Sequence, residues 1–521
     1  MSAQREAVWE SLGNARFDLL VIGAGIIGSR IAYEAARAGL EVALVDAGDF
    51  GGATSSGSTK LIHGGFRYLP MGDIGLVWES QRERASLMAR IAPRLVRRMP
   101  MVLAAYRGGP TGPGLAGAGV LAYGALCGFR GTGVGLTGAR GAQRLIPSIK
   151  TDGLTVCGLF DEGQTNDARL VLATVAAGVD RGVVALNHAR IAGLDFGHNG
   201  EVLASIQGGP AEGSIEVGFK HVVNAAGAWV DGIRRLEDPS AEPMARLSKG
   251  VHLLLDAPPG WRAGLAVPVE GGRVAMAIPW QGMLMLGTTD TPYGGKPEDC
   301  AVSDADVAQV LAEASVALPR DLVQASAVRF SFAALRVLPI GDGSTASAHR
   351  EVMVRIGPRG MVSIAGGKLT THRRIALAVL NRIADARLAG QGRVDEALPE
   401  ATDEAGVRDT DLDPGIASHL EQIYGVESGK VVAQRQLHSN AMERIHPDGP
   451  DIWAQAYHAV DTEWAATVDD VVRRRTTLAV RGLATPELRT KIGRMTAADY
   501  DLVDAPEAAR GLGRGVKVRS T

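Results

Sequence analysis

The chain has 521 residues and a formal net charge of −2 at pH 7, so it is too long for one hydrophobic core and suggests two or three domains. The near-neutral net charge argues against a nucleic-acid partner, and any function that needs positive charge must rest on a local group of basic residues. Its three cysteines, Cys127, Cys157 and Cys300, lie far apart without a CxxC pair. This spacing argues against a disulfide framework and a zinc site, and favours a reducing compartment.

The N-terminal arm, residues 1–16, is charged and lacks the apolar core of a signal peptide. No apolar run reaches the length of about 18 residues that a membrane span needs. The nearest candidate, residues 114–128, is short and rich in glycine. We therefore expect a cytoplasmic protein, and peripheral contact with the inner face of the cell membrane stays open as an alternative.

The unit between Phe17 and Asp46 has the order strand, turn, helix, strand. Residues 17–22 form an apolar run typical of a buried parallel strand. Helical spacing follows over residues 29–38, and residues 41–45 form a second apolar run. This order and length are those of a dinucleotide-binding fold.

The turn inside this unit carries the pattern G-x-G-x-x-G at Gly23, Gly25 and Gly28. The first glycine makes the turn, the second lets a pyrophosphate approach the helix N-terminus, and the third lets helix and strand pack closely. Asp46, which ends the second strand, is placed to accept a hydrogen bond from a ribose hydroxyl. The sequence thus predicts a Rossmann-like domain with a bound dinucleotide.

A segment dense in Gly, Ser and Thr follows over residues 48–70 and carries Lys60, His63, Arg67 and Tyr68. Its composition disfavours a buried strand or a stable helix. Because it follows the second nucleotide strand, it runs from the ribose end of a bound dinucleotide toward the reactive end. We interpret it as part of a catalytic site instead of an ordinary solvated loop.

Six motifs resemble, in the same order, those of the FAD-dependent glycerol-3-phosphate dehydrogenases and the related alpha-glycerophosphate oxidases. They are TSSGSTKLIHGGFRYL from Thr54, NDARLVLA from Asn166, VVNAAGAWVD from Val222, KGVH from Lys249, GTTDTPY from Gly287 and GGKLTTHR from Gly366. The resemblance implies that the cofactor is FAD and the substrate sn-glycerol 3-phosphate. It also implies hydride transfer to flavin N5, dihydroxyacetone phosphate as product, and a quinone or, in the oxidases, oxygen as electron acceptor.

The predicted fold class is α/β (α+β overall), with three domains after the N-terminal arm. A Rossmann-like FAD-binding domain comprises residues 17–243 and 361–395, and it includes helices near residues 75–91 and 167–179. A substrate-binding domain, residues 244–360, is an antiparallel sheet whose last strand is residues 351–356. Residues 396–521 form a C-terminal helical domain, and the glycine- and proline-rich region 100–141 gives little information.

The glycine pattern and the resemblance together predict a set of FAD contacts along both glycine-rich turns and the strands beside them. The set is Gly23, Gly25, Gly28, Asp46, Thr54, Ser55, Lys60, Ala189, Gly227, Gly367, Lys368, Leu369 and Thr370.

Oxidation of a secondary alcohol by a flavin needs a base that takes the hydroxyl proton. His63 is the candidate for this base, or for the group that orients the hydroxyl, because the unperturbed pKa of histidine lies near working pH. His252 is the alternative for the same pocket. The sequence does not decide between the two.

A phosphorylated substrate also needs cations, and the planar fork of arginine matches phosphate oxygens. The resemblance assigns this role to Arg67, Arg336 and Arg350, and it adds Tyr68 and Lys368 to the substrate site. Arg67 and Arg336 therefore join the two histidines as candidate catalytic-site residues. His372 is a departure, because the family usually has tyrosine at that position.

Three other functions stay open at this point. In the first, the enzyme oxidises another polyol phosphate, such as a four-carbon one. In the second, it oxidises an amine, as in the wider amino-acid oxidase superfamily. In the third, the protein binds flavin without turnover. For membrane contact the candidates are Arg473–Arg475 and the tail GRGVKVRST, with solvated surface as the competing interpretation. Homo-oligomerisation is also left open.

Overall fold

The computed structural model describes residues 3–66, 73–126, 133–198, 200–208, 213–340, 352–388, 396–398 and 412–499. Its strands form two sheets. In chain order they are β1 (Phe17–Ile22), β2 (Val42–Val45), β3 (Leu61–Ile62), β4 (Val96–Tyr106), β5 (Gly135–Thr137), β6 (Leu154–Thr165), β7 (Val184–Leu186), β8 (Arg190–Phe196), β9 (Val202–Gln207), β10 (Ser214–Asn224), β11 (Ala245–Asp256), β12 (Gly264–Pro268), β13 (Val274–Trp280), β14 (Met283–Gly287), β15 (Thr291–Tyr293), β16 (Val328–Pro339), β17 (Val352–Ile356) and β18 (Val362–Gly366).

Helices pack on both sheets and build the C-terminal part of the chain. They are α1 (Ala3–Asn14), α2 (Ile26–Arg37), α3 (Ile74–Ser86), α4 (Pro113–Leu126), α5 (Ala139–Leu145), α6 (Asp167–Val179), α7 (Val230–Glu237), α8 (Asp304–Ala314), α9 (His372–Leu380), α10 (Pro414–Tyr424), α11 (Ser428–Ala433), α12 (Trp453–Asp461), α13 (Val468–Asp470) and α14 (Pro486–Asp499). Within the described ranges, none of them is both long and apolar enough to cross a bilayer.

The first sheet has the order β17-β18-β10-β1-β2-β7, and β9 and β8 extend it from β10. Strands β18, β10, β1, β2 and β7 run parallel to one another. Every residue of β1 is buried, because helices cover one face and the N-terminal arm contributes to the other. That arm is the helix α1, whose Leu12 is fully buried and whose Arg5 donates to Oδ1 of Asn187 at 2.6 Å.

The second sheet has the order β15-β11-β14-β13-β12-β4-β6-β3, with β16 paired to β11 and β5 to β6. The prediction that this sheet lies within residues 244–360 is wrong at both ends. Strands β3 to β6, from residues 61–165, belong to it, and β4 pairs in parallel with β12 through Leu265 and Val102. Conversely, β17 pairs with β18 at the edge of the first sheet. Strand pairing decides to which sheet β3 to β6 and β17 belong, and local sequence patterns do not show which strands pair.

Buried ion pairs fasten the C-terminal helices to the first sheet. Asp49, just after β2, receives hydrogen bonds from Arg474 and from Nη2 of Arg475, the latter at 2.9 Å. Nε2 of His188 lies 2.9 Å from Oδ2 of Asp470. Arg475 is completely buried and Arg474 nearly so. These two arginines are therefore unsuited to the membrane contact that the sequence suggested for Arg473–Arg475. The other candidate for that contact, the tail GRGVKVRST, lies outside the described residues.

Candidate active site

The turn between β1 and α2 lets a ligand approach its backbone closely. Gly23 has φ of 97°, and a Cβ on Gly28 would lie 1.8 Å from the carbonyl oxygen of Gly23. Gly25 precedes the first residue of α2 in extended conformation. The bare backbone leaves the positive N-terminus of a 12-residue helix accessible, and this is the arrangement that binds a pyrophosphate. The residues present thus fit a dinucleotide.

Asp46 fixes this turn from the end of β2. Its Oδ2 accepts from the backbone N–H of Ala24 at 2.7 Å, and its Oδ1 accepts from Gly48 at 2.9 Å. Burial raises the pKa of Asp46 to about 6. Each carboxylate oxygen has a second lone pair, so the predicted bond from a ribose hydroxyl is compatible with these contacts.

The segment after β2 ties the two sheets together. Oγ of Ser55 accepts from Ile26 N at 2.9 Å, at the start of α2, and Oγ1 of Thr54 donates to the carbonyl of Leu335 in β16 at 2.7 Å. Lys60 has φ of 62° and is buried, and its Nζ lies 2.7 Å from Oδ1 of Asp167. Lys60 therefore anchors this segment to the N-terminus of α6.

The second glycine-rich turn, after β18, meets the first one. A Cβ on Gly367 would lie 2.6 Å from Cδ1 of Ile27, at the start of α2. Oγ1 of Thr370 donates to the carbonyl oxygen of His63 at 3.1 Å. Lys368 and Leu369 lie between these two contacts, and Nζ of Lys368 is buried. The turn thus brings the GGK motif beside the HGG motif.

The other two residues predicted to contact FAD lie just after β7 and β10, two strands of the first sheet. Ala189 is buried and donates from its backbone N to the carbonyl oxygen of Asp46 at 2.8 Å. Gly227, with φ of 55°, follows β10, where Ala225 N donates to Ile22 O at 2.8 Å. The fold therefore gathers the predicted cofactor residues around the carboxyl ends of parallel strands, where this class of sheet binds ligands.

His63 is half-buried and its backbone is held from both sides. Its carbonyl oxygen accepts from Thr370, and its Nδ1 accepts from Gly65 N at 3.2 Å. The next residue, Gly64, donates from N to Oε2 of Glu162 at 2.7 Å. In this arrangement the proton of the neutral imidazole sits on Nε2, and the other tautomer places a lone pair there.

Glu162 holds the HGG motif in place by accepting the hydrogen bond from Gly64 N. It is buried, and Arg84 Nη1 lies 2.6 Å from its Oε2 while Tyr123 donates to its Oε1 at 2.9 Å. Burial raises the pKa of Glu162. Sequence reasoning missed this carboxylate, although the acidic pair Asp161-Glu162, which directly follows the apolar run VCGLF in strand β6, was a signal that a partner must be near.

His252 lies on β11, opposite Phe332 of β16, and its ring stacks on Phe332 with centroids 5.0 Å apart. Its Nε2 lies 3.1 Å from Oγ1 of Thr59, a contact that the motif did not reveal. Its buried Nδ1 has no hydrogen-bond partner within the described part of the chain. Burial, reinforced by the charges of Lys60 and Arg336, lowers the pKa of His252 to about 3, so this ring is neutral at working pH.

Arg336 lies two positions beyond Ala334 on β16, on the same face as Phe332. Its Nη2 donates to Oγ1 of Thr288 at 2.9 Å, and its Nη1 lies 3.2 Å from Oδ1 of Asp290. Both partners come from the GTTDTPY motif, which the sequence did not link to this arginine. The guanidinium remains half-buried at the same sheet face as His252 and lowers that residue's pKa.

Three predicted substrate residues, Arg67, Tyr68 and Arg350, lie outside the described residues. His372, the departure from the family pattern, is fully buried with Nδ1 2.7 Å from the carbonyl oxygen of Leu369. A cavity of about 70 Å³ lies beside Lys60, Phe332 and Ala334.

The comparisons with known proteins first define the class. Residues 18–373 match the family described as FAD dependent oxidoreductase, and residues 373–500 match the C-terminal domain of alpha-glycerophosphate oxidase. The glycine-rich turns, the two sheets and the C-terminal helices are thus those of a flavin-dependent oxidoreductase with FAD as cofactor.

Individual relatives narrow the class. A glycerol-3-phosphate dehydrogenase from Synechocystis sp. is 31% identical, and the match covers 90% of each chain. A probable mitochondrial glycerol-3-phosphate dehydrogenase from Caenorhabditis elegans is 32% identical, with 89% of this chain and 68% of the relative covered. The chain belongs to the FAD-dependent glycerol-3-phosphate dehydrogenase family. The predicted family, enzyme class and cofactor are confirmed.

Solved structures agree with this family. The glycerol-3-phosphate dehydrogenase from Bacillus halodurans, complexed with FAD, has a TM-score of 0.76 at 25% identity and covers 97% of this chain and 95% of its own. The L-alpha-glycerophosphate oxidase from Mycoplasma pneumoniae has a TM-score of 0.58 at 14% identity, covers 71% of this chain and 94% of its own, and shares the fold alone. The predicted fold class is confirmed.

Proposed function

We propose that the protein oxidises sn-glycerol 3-phosphate to dihydroxyacetone phosphate and passes the electrons through FAD to a quinone. The observation that carries this proposal is that a cation and a neutral histidine lie on one face of the second sheet, next to the segment that holds the candidate base His63. Thr288 and Asp290 position Arg336 on the same sheet face as the neutral ring of His252. Thr59, whose hydroxyl contacts that ring, lies four residues before His63 in the chain. The family relatives named glycerol-3-phosphate dehydrogenase support the substrate.

In the proposed reaction the secondary alcohol loses a hydride from carbon and a proton from oxygen. Bound FAD supplies the two-electron acceptor for the hydride. His63 takes the proton at Nε2 in its other tautomer, in which Nδ1 carries the ring proton and no longer accepts from Gly65 N. Arg336, together with Arg67 and Arg350, holds the phosphate, while Tyr68 and Lys368 complete the substrate site. The acceptor quinone then takes two electrons and two protons and leaves as the quinol.

Replacing Arg336 by alanine should reduce catalytic efficiency with glycerol 3-phosphate by about tenfold or more, because it removes a charge-assisted contact worth roughly 1.5 to 3 kcal/mol. The variant should also discriminate less between glycerol 3-phosphate and glycerol. Steady-state kinetics with both substrates checks this. Arg329 is a matched control, since it lies on the same strand and pairs with an exposed acid, Asp256, at 2.6 Å. Arg329→Ala should be close to wild type, and an unchanged phosphate preference in Arg336→Ala would exclude its phosphate role.

For the acceptor, we expect turnover with a soluble quinone analogue to exceed oxygen consumption under the same conditions. The curated relatives reported above are named dehydrogenases, and this supports the quinone. The C-terminal match to an oxidase makes oxygen the alternative. The measurement compares quinone reduction with peroxide release at saturating substrate. Rapid peroxide formation without quinone activity would place the enzyme with the oxidases.

A further inference from the structure

The candidate base His63 is followed by two glycines, so its orientation depends on contacts from outside the segment. Gly65 has φ of 85°, a backbone angle that glycine adopts without strain. A Cβ on Gly64 would lie 2.2 Å from Oη of Tyr123, so a larger residue does not fit there. Two glycines in a row leave the backbone after His63 with many accessible conformations. Other residues must therefore select the conformation that the active site uses.

The peptide group between His63 and Gly64 is held on both sides. Its carbonyl oxygen, which belongs to His63, accepts from Oγ1 of Thr370 at 3.1 Å. Its N–H, which belongs to Gly64, donates to Oε2 of Glu162 at 2.7 Å. Because a peptide group is planar, two bonds on opposite sides fix the rotation of the whole group. The backbone that carries the imidazole is thereby fixed as well.

These two bonds do not depend on the protonation state of the ring. A third contact, from Gly65 N to Nδ1 of His63 at 3.2 Å, does depend on it. The tautomer that takes a proton at Nε2 carries a proton on Nδ1 and gives up this contact. Thr370 and Glu162 therefore hold the backbone of His63 in the tautomer that works as the base.

Glu162 is itself fixed by its other contacts. Tyr123 donates to its Oε1 at 2.9 Å, and Nη1 of Arg84 lies 2.6 Å from its Oε2. Glu162 is only 3% exposed. Burying an ion pair has a desolvation cost, but an ionised acceptor makes a stronger hydrogen bond than a neutral one. The pair thus presents a rigid and strong acceptor to Gly64.

We propose that Glu162 is a positioning residue for the base. By holding the peptide between His63 and Gly64, it keeps Nε2 of His63 where it can take the proton of the substrate hydroxyl. Glu162 acts through Gly64 and takes no proton itself. This inference rests on the proposed function, which gives His63 its role. A misplacement of about 1 Å near reacting groups can cost about 10²-fold in rate, so one hydrogen bond can have a large effect.

The test compares Glu162→Gln with Glu162→Met. Both variants keep the length of the side chain and lose its charge, so both leave Arg84 in the same state. Only glutamine offers an oxygen that accepts well from Gly64 N. Single-turnover flavin bleaching by glycerol 3-phosphate should be about tenfold to a hundredfold slower in Glu162→Met than in Glu162→Gln. The dissociation constant for the substrate should be alike in both, because the proposed phosphate residues are elsewhere.

Asp161→Ala is the matched control. Asp161 precedes Glu162 in β6, and successive side chains of a strand point to opposite faces. Its carboxylate pairs at 2.5 Å with Arg98, which is 59% exposed, so this variant leaves no cation buried without a partner. It should reduce its flavin at the wild-type rate.

The ring nitrogens of His63 give a readout that needs neither substrate nor turnover. Nuclear magnetic resonance of flavin-loaded enzyme with isotope-labelled histidine shows them, and the signals that are missing in His63→Asn identify them. In Glu162→Met both nitrogen shifts should move toward the values of a freely exchanging imidazole, because the contact with Gly65 loosens. In Glu162→Gln they should stay at the wild-type values.

The pH profile separates positioning from proton transfer. Glu162→Met should keep the pH step of the bleaching rate, since His63 is still the base. Loss of that step would make Glu162 the titrating group and overturn the proposal, and so would equal bleaching rates in the glutamine and methionine variants. If neither variant binds flavin, Tyr123→Phe decides, because it keeps the ion pair and removes one bond that orients the carboxylate. It should be about twofold to tenfold slower, and a wild-type rate would overturn the proposal.

The two proposals can fail separately. If glycerol 3-phosphate leaves the wild-type flavin oxidised, the proposed function is wrong, and the histidine signals still test the role of Glu162. If the wild type is bleached and the glutamine and methionine variants are bleached equally fast, only the role of Glu162 is wrong.

Discussion

A Gly25→Val variant should purify colourless, without flavin that heat or acid can release. The backbone at Gly25 is extended, with φ of −70°, so valine does not strain the chain itself. Its Cβ, however, would lie 2.9 Å from Oγ of Ser55, the hydroxyl that accepts from Ile26 at the start of α2. The branched side chain would thus fill the space through which a pyrophosphate approaches the helix.

Visible absorbance and flavin released per mole of protein measure this effect. Gly232→Val is the matched control, because Gly232 lies in α7 and a Cβ there meets no atom within 4 Å. The control should keep its flavin, and circular dichroism should show that both variants fold. Normal flavin content in Gly25→Val would contradict the assignment of the nucleotide turn.

A His63→Asn variant should bind substrate with nearly unchanged affinity but reduce its flavin about 10² to 10⁴-fold more slowly, the range for loss of a general base. The residual rate should also lose its pH step. In the wild type a base at His63 makes the rate rise with pH as the imidazole loses its proton, and the rate levels off above its pKa. Single-turnover flavin bleaching across the pH range is the measurement.

His63→Gln separates proton transfer from positioning. A glutamine amide can donate a hydrogen bond from near the position of Nε2, but it cannot take a proton. If His63 is the base, both variants are slow. If the glutamine variant keeps the wild-type rate, His63 only orients the hydroxyl.

The same profile distinguishes His63 from His252. The pKa of His252 is lowered to about 3, so this ring loses its proton far below working pH and gives no step in the neutral range. A wild-type profile without a step near neutrality, together with a normal rate in His63→Asn, would transfer the role of base to His252.

Local patterns predicted the nucleotide unit well because its signals are local. β1 was predicted at its observed bounds, Phe17–Ile22, since burial on both faces produces a continuous apolar run. Helix α6 was also predicted as Asp167–Val179, and the structure shows the reason. Asn166 caps it, with Oδ1 accepting from Arg169 N at 3.3 Å.

The membership of the second sheet could not be predicted in the same way. β4 contains two exposed arginines and Pro100, and it is recognisable as a central strand only through its pairing with β6 and β12. β17 has a strand pattern, but nothing in that pattern tells which sheet it joins. Pairing across long separations in the chain is set by the whole fold and not by a window of sequence.

The candidate active site shows the same division between what local sequence predicts and what only the tertiary fold shows. Motifs supplied His63 and His252 directly, because each lies in a short segment that resembles the family, whereas Arg336 lies outside the six motifs and was assigned from the resemblance alone. The contact of Thr59 with His252 and the contact of Glu162 with Gly64 came only from the structure, since the tertiary fold decides which hydrogen-bond partners meet. The roles of His63, His252 and Arg336 remain proposals that the variants above test.

Anaerobic mixing of the flavin-loaded enzyme with sn-glycerol 3-phosphate tests the central claim most directly. Rapid bleaching of the flavin is expected with this substrate and much slower bleaching with glycerol, because Arg336 and the other proposed cations bind the phosphate. A panel of phosphorylated polyols, including a four-carbon one, and an amino acid completes the measurement. If glycerol 3-phosphate leaves the flavin oxidised while another polyol phosphate or the amino acid bleaches it, the proposed reaction is wrong.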